Sequence, residues 1–213
     1  MWLIYFKRGA GDGDVALAHA SCFKARAPPL EKFLQPAVDI AAAVMKVSKD
    51  GKKKGWVTRT DAYRRKHQVS HGETNKFKNT LQQSPQSCKL NKRTIENMSL
   101  TLAVIFKKVP RDIKLPIVIQ FDQDVPRQPY AINLLPCACP QGLYWLYYAT
   151  EPHRQRLVTA RELASLQGIG PEEIAVFKLT RVGDVLLKDL VGNAYAGPVC
   201  GACFLGSLLE WRG

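Results

Sequence analysis

Four cysteines and two aspartates have the residue types and spacing that chemistry requires. Cys137-x-Cys139 and Cys200-x-x-Cys203 together offer four thiolates, the donor set of a tetrahedral zinc site. Cys200 and Cys203, however, lie in an almost wholly apolar run from Val199 to Leu209. In such surroundings cysteine acts as a small hydrophobe, so core packing and no bound metal are expected. Asp122 and Asp124 alternate at the end of a strand-like run and so share a face, an arrangement that can hold a cation or act as an acid/base pair. Carboxylates so placed more often hydrogen-bond a turn or pair with a neighbouring base, here Arg127, and that is the expectation. Gly9, Gly11 and Gly13 follow a strand-like opening, but their spacing is not that of a dinucleotide loop, so they form a turn. His67, His71 and His153 show no ligand spacing, and His153 beside Arg154 reads as a surface residue.

A stronger chemical signal is charge. The net charge is +13, and residues 46–93 hold 14 Lys and Arg against 3 Asp and Glu. The flanks, 1–45 and 94–213, carry +1 each (5 against 4 and 12 against 11), so one segment holds nearly the whole imbalance. A basic segment of this kind suits a polyanion, because each Lys or Arg placed on a phosphate releases condensed counterions. Lys52, Lys53, Lys54, Arg64, Arg65 and Lys66 are the expected DNA-binding residues. Trp56, Tyr63 and Phe77 are interleaved with them as candidates for stacking on bases.

The elements that must position these residues change along the chain. Residues 1–6 read as a buried strand that starts abruptly, and Pro36 opens a helix with Val38, Ile40, Ala41, Val44 and Met45 on its apolar side. Residues 47–97 are polar, basic and poor in aliphatics, and are expected to be loop-rich. Strand-like runs follow at 102–106, 116–121 and 143–148. The last third turns to helix grammar. Thr159-Ala160-Arg161-Glu162 is a capping box, in which Thr159 accepts from the Glu162 amide and the Glu162 carboxylate reaches back. Gly168 is placed to end that helix. Gly170-Pro171-Glu172-Glu173 starts another, Val182 to Gly192 a third, and Pro198 opens a last one that is apolar nearly all round.

Composition excludes several classes. Hydrophobic residues make up 46% and charged ones 23% of the 213 residues, which is ordinary globular usage. No stretch approaches the ~20 apolar residues of a membrane span. Six cysteines, several in apolar runs, read as intracellular thiols rather than a secreted disulfide framework.

Two segments near the C-terminus are specific. Arg156-Leu157-Val158-Thr159-Ala160-Arg161-Glu162-Leu163-Ala164-Ser165-Leu166-Gln167-Gly168-Ile169 resembles the ninth conserved block of DNA (cytosine-5) methyltransferases. That block typically reads Arg-x-Leu-Thr-x-Arg-Glu-x-Ala-x-Leu-Gln-Gly-Phe. Gly192-Asn193-Ala194-Tyr195-Ala196-Gly197-Pro198-Val199 is similar to the tenth, Gly-Asn-Ala-Val-x-x-Pro-Val. Weaker echoes are Leu135-Pro136-Cys137-Ala138-Cys139 with Leu143-Tyr144-Trp145, and Pro29-Leu30-Glu31-Lys32-Phe33-Leu34. The family's cofactor loop, Pro-Cys nucleophile loop, Glu-Asn-Val strand and Gln-x-Arg-x-Arg block have no counterpart. Pro136-Cys137 lies too close to the ninth block to be the nucleophile, so no catalytic residue is expected.

The resemblance implies an α/β chain equivalent to the C-terminal part of such an enzyme. Its doubly wound sheet would be incomplete, with a small mixed β recognition region and appended helices. Expected units are 1–46, a remnant of the catalytic end; 47–97, the basic segment; 98–155, the recognition-like β region; and 156–213, the C-terminal helices. It further implies DNA as partner and S-adenosylmethionine as cofactor of the complete enzyme, with Asn193 and Ala194 at its edge. Arg156, Thr159, Arg161, Glu162, Gln167, Gly168, Gly192 and Pro198 would be motif scaffold, with Arg161 bridging the helix to the recognition region. A nuclear location follows for a eukaryotic protein. A non-catalytic DNA-binding module and a fragment without function are the alternatives.

Overall fold

A computed structural model describes residues 29–34, 55–139, 142–170, 172–175 and 183–193. The strand expected over 1–6, the glycine turn after it, the helix expected from Pro36, Lys52–Lys54, Ala194 and the helix expected from Pro198 lie outside these residues.

The architecture is mixed α/β, built on a four-stranded antiparallel sheet in the order β2-β1-β3-β4. The strands are β1 (Ile117–Gln120), β2 (Tyr130–Ile132), β3 (Tyr144–Tyr147) and β4 (Arg156–Leu157). In the central pair Ile117 opposes Tyr147, Val118 opposes Leu146 and Ile119 opposes Trp145. Side chains alternate across a strand, so this register sorts the apolar residues onto two faces. Ile117, Ile119, Trp145 and Tyr147 pack on one face with Ile95, Met98, Leu102 and Ile105. Val118, Tyr144, Leu146 and Tyr148 pack on the other with Leu163, Ala164, Leu187 and Val191. Both central strands are therefore buried on both sides, which is why they read as continuous apolar runs rather than alternating ones.

The first face is covered by α3 (Lys92–Ile105), and α1 (Trp56–Lys66) and α2 (His71–Gln82) lie beside it. The second is covered by α4 (Ala160–Leu166) and α5 (Asp184–Asn193), with 172–175 helical between them. Asn91 caps α3 by accepting from the Thr94 amide at 2.7 Å. At the other end of the fold α4 starts and stops as its sequence directs. Its box is formed, and Gly168 at φ +83° turns the chain out while the Ile169 amide reaches back to the Ala164 carbonyl at 3.0 Å.

Three expectations are corrected. Residues 102–106 are not a strand. Residues 102–105 close α3, whose apolar positions 95, 98, 102 and 105 follow helical spacing. Leu100, Ala103 and Val104 pack a further cluster with Val69 and Val125, so the end of α3 is buried all round and its run loses visible periodicity. The segment 47–97 is not loop-rich where it is described, since α1, α2 and the start of α3 fill it. Its helices escape notice because α1 buries Thr60 and Arg64 rather than an aliphatic stripe. The boundaries drawn from composition also fall inside ordered elements: α3 runs unbroken across 97–98, and β4, beyond 155, completes the sheet.

The outer edge of β4 is occupied by side chains. Ser84 Oγ donates to the Gln155 carbonyl at 2.5 Å, and the Leu157 amide donates to Gln86 Oε1 at 3.0 Å. These bonds come from the turn after α2 and take the place of a fifth strand.

Candidate nucleic-acid interface

The basic helices are assembled by arginines turned inward. Arg64, only 8% exposed, donates to Thr74 Oγ1 at 2.6 Å on α2 and to Glu96 Oε1 at 2.7 Å on α3. One guanidinium thus links three helices, and only its fork geometry spans such partners. Arg59 and Arg93 converge on Asp124, at 3.2 and 2.6 Å, binding α1 and α3 to the turn Val125–Arg127. Thr101 Oγ1 donates to Gln128 Oε1 at the same junction. The partner of Asp124 is therefore Arg59 with Arg93, not the expected Arg127. Asp122 does serve a turn, accepting from the Leu143 amide at 3.1 Å. The two aspartates are committed to different partners and form no acid/base pair.

Of the residues expected to contact DNA, Arg65 and Lys66 are exposed and Arg64 is not. The aromatic candidates also face inward. Trp56 Nε1 donates to Asn97 Oδ1 at 3.0 Å, Phe77 stacks on Phe106 with ring centroids 5.2 Å apart, and Tyr63 packs against the Val69 cluster. They build the helical unit rather than a stacking platform.

The end of α1 carries the feature that residue counting misses. Gln68 takes a left-handed turn at φ +51°, and the Val69 amide returns to the Arg64 carbonyl. Lys107, just past α3, donates its ammonium to the carbonyls of His67 and Gln68 at 2.8 and 2.7 Å. A cation on terminal carbonyls is the favourable complement of a helix dipole. Lys66, Lys108 and Arg111 are exposed nearby and make no ion pair among the described residues. Partial burial, then Lys66, Lys108 and Lys107, hold the His67 imidazole below its ordinary pKa. Glu73 lies below the usual glutamate range, chiefly through the Ser70 backbone and side-chain bonds, with Lys107 and Arg111 adding to the effect.

The chain matches no family model, no curated protein and no solved structure.

The motif residues are placed as follows. Arg156 grips Glu162 with both nitrogens, Nη1 to Oε2 at 2.9 Å and Nη2 to Oε1 at 2.7 Å. Glu162 is 0% exposed, accepts from the Thr159 amide at 2.8 Å, and donates its own amide to Thr159 Oγ1 at 3.2 Å. Arg156 bridges helix and sheet, whereas the Arg161 side chain makes no hydrogen bond or ion pair among the described residues. Gln167 closes α4, its amide returning to the Leu163 carbonyl at 3.1 Å, and Gly192 lies within the last turn of α5.

Cys137 and Cys139 are free thiols in a loop held by Tyr144, whose hydroxyl donates to the Cys137 carbonyl and accepts from the Cys139 amide. Burial raises the Tyr144 pKa, keeping that donor protonated. Among the described residues no group of three metal-ligating side chains occurs, and Cys200 and Cys203 lie outside them. His153 is exposed. Asn193, at the last position of α5, donates its side-chain amide to the Asp189 carbonyl at 2.9 Å within its own helix. No described helix is long and apolar enough to cross a membrane.

Proposed function

We propose that the chain is the C-terminal portion of a DNA (cytosine-5) methyltransferase-like protein, carrying the recognition region and the helices that follow it. Such a portion takes part in methyl transfer from S-adenosylmethionine to cytosine only when a catalytic part, with its cofactor and cysteine loops, is supplied. One observation carries this reading. Arg156, Thr159 and Glu162, three of the polar residues of the ninth-block resemblance, act together as a buried joint between β4 and α4. In the proposed enzyme this joint passes the chain from the recognition region back toward the catalytic sheet. The exposed cations of α1 and of the turn after α3 suit duplex phosphates.

A second reading, a DNA-binding module without catalysis, is favoured by the distribution of charge. The basic helices α1 and α2 are tied to α3 by Arg64, and α1 and α3 to the turn 125–127 by Arg59 and Arg93. The two readings share DNA and differ in transfer. The purified chain is expected to bind duplex DNA with an affinity that falls steeply with the logarithm of salt concentration, and to transfer no labelled methyl group. Binding that ignores salt removes both readings. Methyl transfer by the chain alone, lost on Cys137→Ala, overturns the statement that the nucleophile lies elsewhere. Restored transfer on adding a family catalytic part favours the first reading over the second.

A further inference from the structure

We infer that Lys66, Lys108 and Arg111, grouped around Lys107 where the end of α1 meets the turn after α3, form a docking surface for the phosphate backbone of duplex DNA. The inference rests on the DNA reading above and extends its contact from Lys66, already expected to meet DNA, to Lys108 and Arg111, which with Lys107 lie outside the basic segment of the sequence.

A plain structural role does not account for this cluster. Lysines at a helix C-terminus are commonly explained by the dipole, and here one ammonium meets that need. Lys107 alone covers the two terminal carbonyls of the α1 turn. The negative end of α1 is thereby neutralised, and Lys66 and Lys108 remain as surplus positive charge beside it. The acids in reach are few. Glu73 is occupied by the amide and hydroxyl of Ser70, at 2.8 and 2.9 Å, and Asp112 is the chain neighbour of Arg111. Elsewhere among the described residues Arg59, Arg64, Arg93, Arg154 and Arg156 each sit on a carboxylate, whereas Arg65, Arg127 and Arg161, like Arg111, make no ion pair.

The surface is also ordered. Lys107 and Lys108 continue the backbone bonding of α3, their amides reaching the carbonyls of Val104 and Ile105. Val109 and Ile113 pack against the core beneath. The cations therefore stand on fixed backbone, which lowers the entropy lost on binding compared with a loose basic tail. His67 stands among these cations: partial burial first, and then Lys66, Lys108 and Lys107, hold its imidazole below the ordinary pKa. Because Trp56 and Phe77 are engaged inside, contact at this surface is with phosphate and carries position rather than sequence.

The test uses the full chain and a labelled duplex, with affinity read by fluorescence anisotropy across a salt series. The triple variant Lys66→Gln, Lys108→Gln, Arg111→Gln is expected to melt as the native chain does, and to lower the salt slope by about 2.7, three lost contacts at ~0.9 each. A control triple, Lys32→Gln, Lys92→Gln, Arg127→Gln, removes equal charge elsewhere and is expected to leave the slope unchanged. On saturation with duplex, the NMR titration midpoint of His67 in the native chain is expected to rise as phosphates offset the lysines. An unchanged slope in the first triple, equal losses in both triples, or a His67 midpoint indifferent to DNA each overturns the assignment while leaving the DNA reading intact. A native chain that binds no duplex at low salt overturns both.

Discussion

Two helices of this protein begin with the same four-residue grammar, and they use it differently. Ser70 opens α2 and Thr159 opens α4, each accepting from the amide three residues on, with a glutamate reaching back to the cap amide. At α2 the returning carboxylate stays at the surface and bonds only with Ser70. At α4 it is sealed from water and gripped by both arms of Arg156, which comes from β4. The first box starts a helix. The second starts a helix and fastens it to the sheet, so one local motif is worth different amounts according to what surrounds it.

The sharpest way to break the comparison is to remove the two glutamates in turn. Glu162→Ala leaves the Arg156 guanidinium without its partner inside the fold and is expected to cost about 3–5 kcal/mol, read from the denaturant midpoint. Arg156→Lys keeps the charge and loses the fork, and a loss of about 2 kcal/mol is expected in the same measurement. Ser70→Ala, in the exposed box, is expected to cost about 1 kcal/mol, the ordinary value of a cap. A loss as large as that of Glu162→Ala would mean that α2 is anchored through its cap, and the contrast would fail.

The smallest effect is one of pH. Glu73 has a folded pKa below its unfolded one, so its contribution is present above the ordinary glutamate range and fades as pH falls through the folded value. The protection of amides in the first turn of α2, taken relative to their intrinsic exchange rates, is expected to fall over that acid window, and Glu73→Gln is expected to abolish the dependence. Protection that stays constant with pH in the native chain removes the role given to the Glu73 carboxylate.

The same two boxes show what the sequence discloses. Thr159 to Glu162 is recognised because an apolar helix pattern follows it, whereas Ser70 to Glu73 has the identical signature inside a basic, aliphatic-poor stretch and passes for loop. The missing apolar face is the physical reason, since α1 and α2 are held largely by Arg64 and its partners on three helices. β1 and β3 are legible as short apolar runs, while 102–106 has the same appearance and closes a helix. A short run buried on every side carries no period to separate the two. At the candidate interface, Arg65 and Lys66 are exposed as expected, but neighbouring Arg64 faces the interior, and linear charge counts cannot tell adjacent residues apart. Lys107, Lys108 and Arg111 were hidden for a different reason. They fall in a stretch whose total charge nearly balances, and only folding gathers them beside the end of α1.

The turn that occupies the outer edge of β4 bears on how the protein is made. Ser84 and Gln86 precede their partners by 71 residues each. During synthesis, the turn leaves the ribosome several seconds before β4 does, at ~5–20 residues per second. The last strand thus emerges to find its far side already assigned to side chains that cannot propagate a ladder. A newly made copy offers no bare strand there for a neighbouring nascent chain to extend, which closes one common route from synthesis to aggregation.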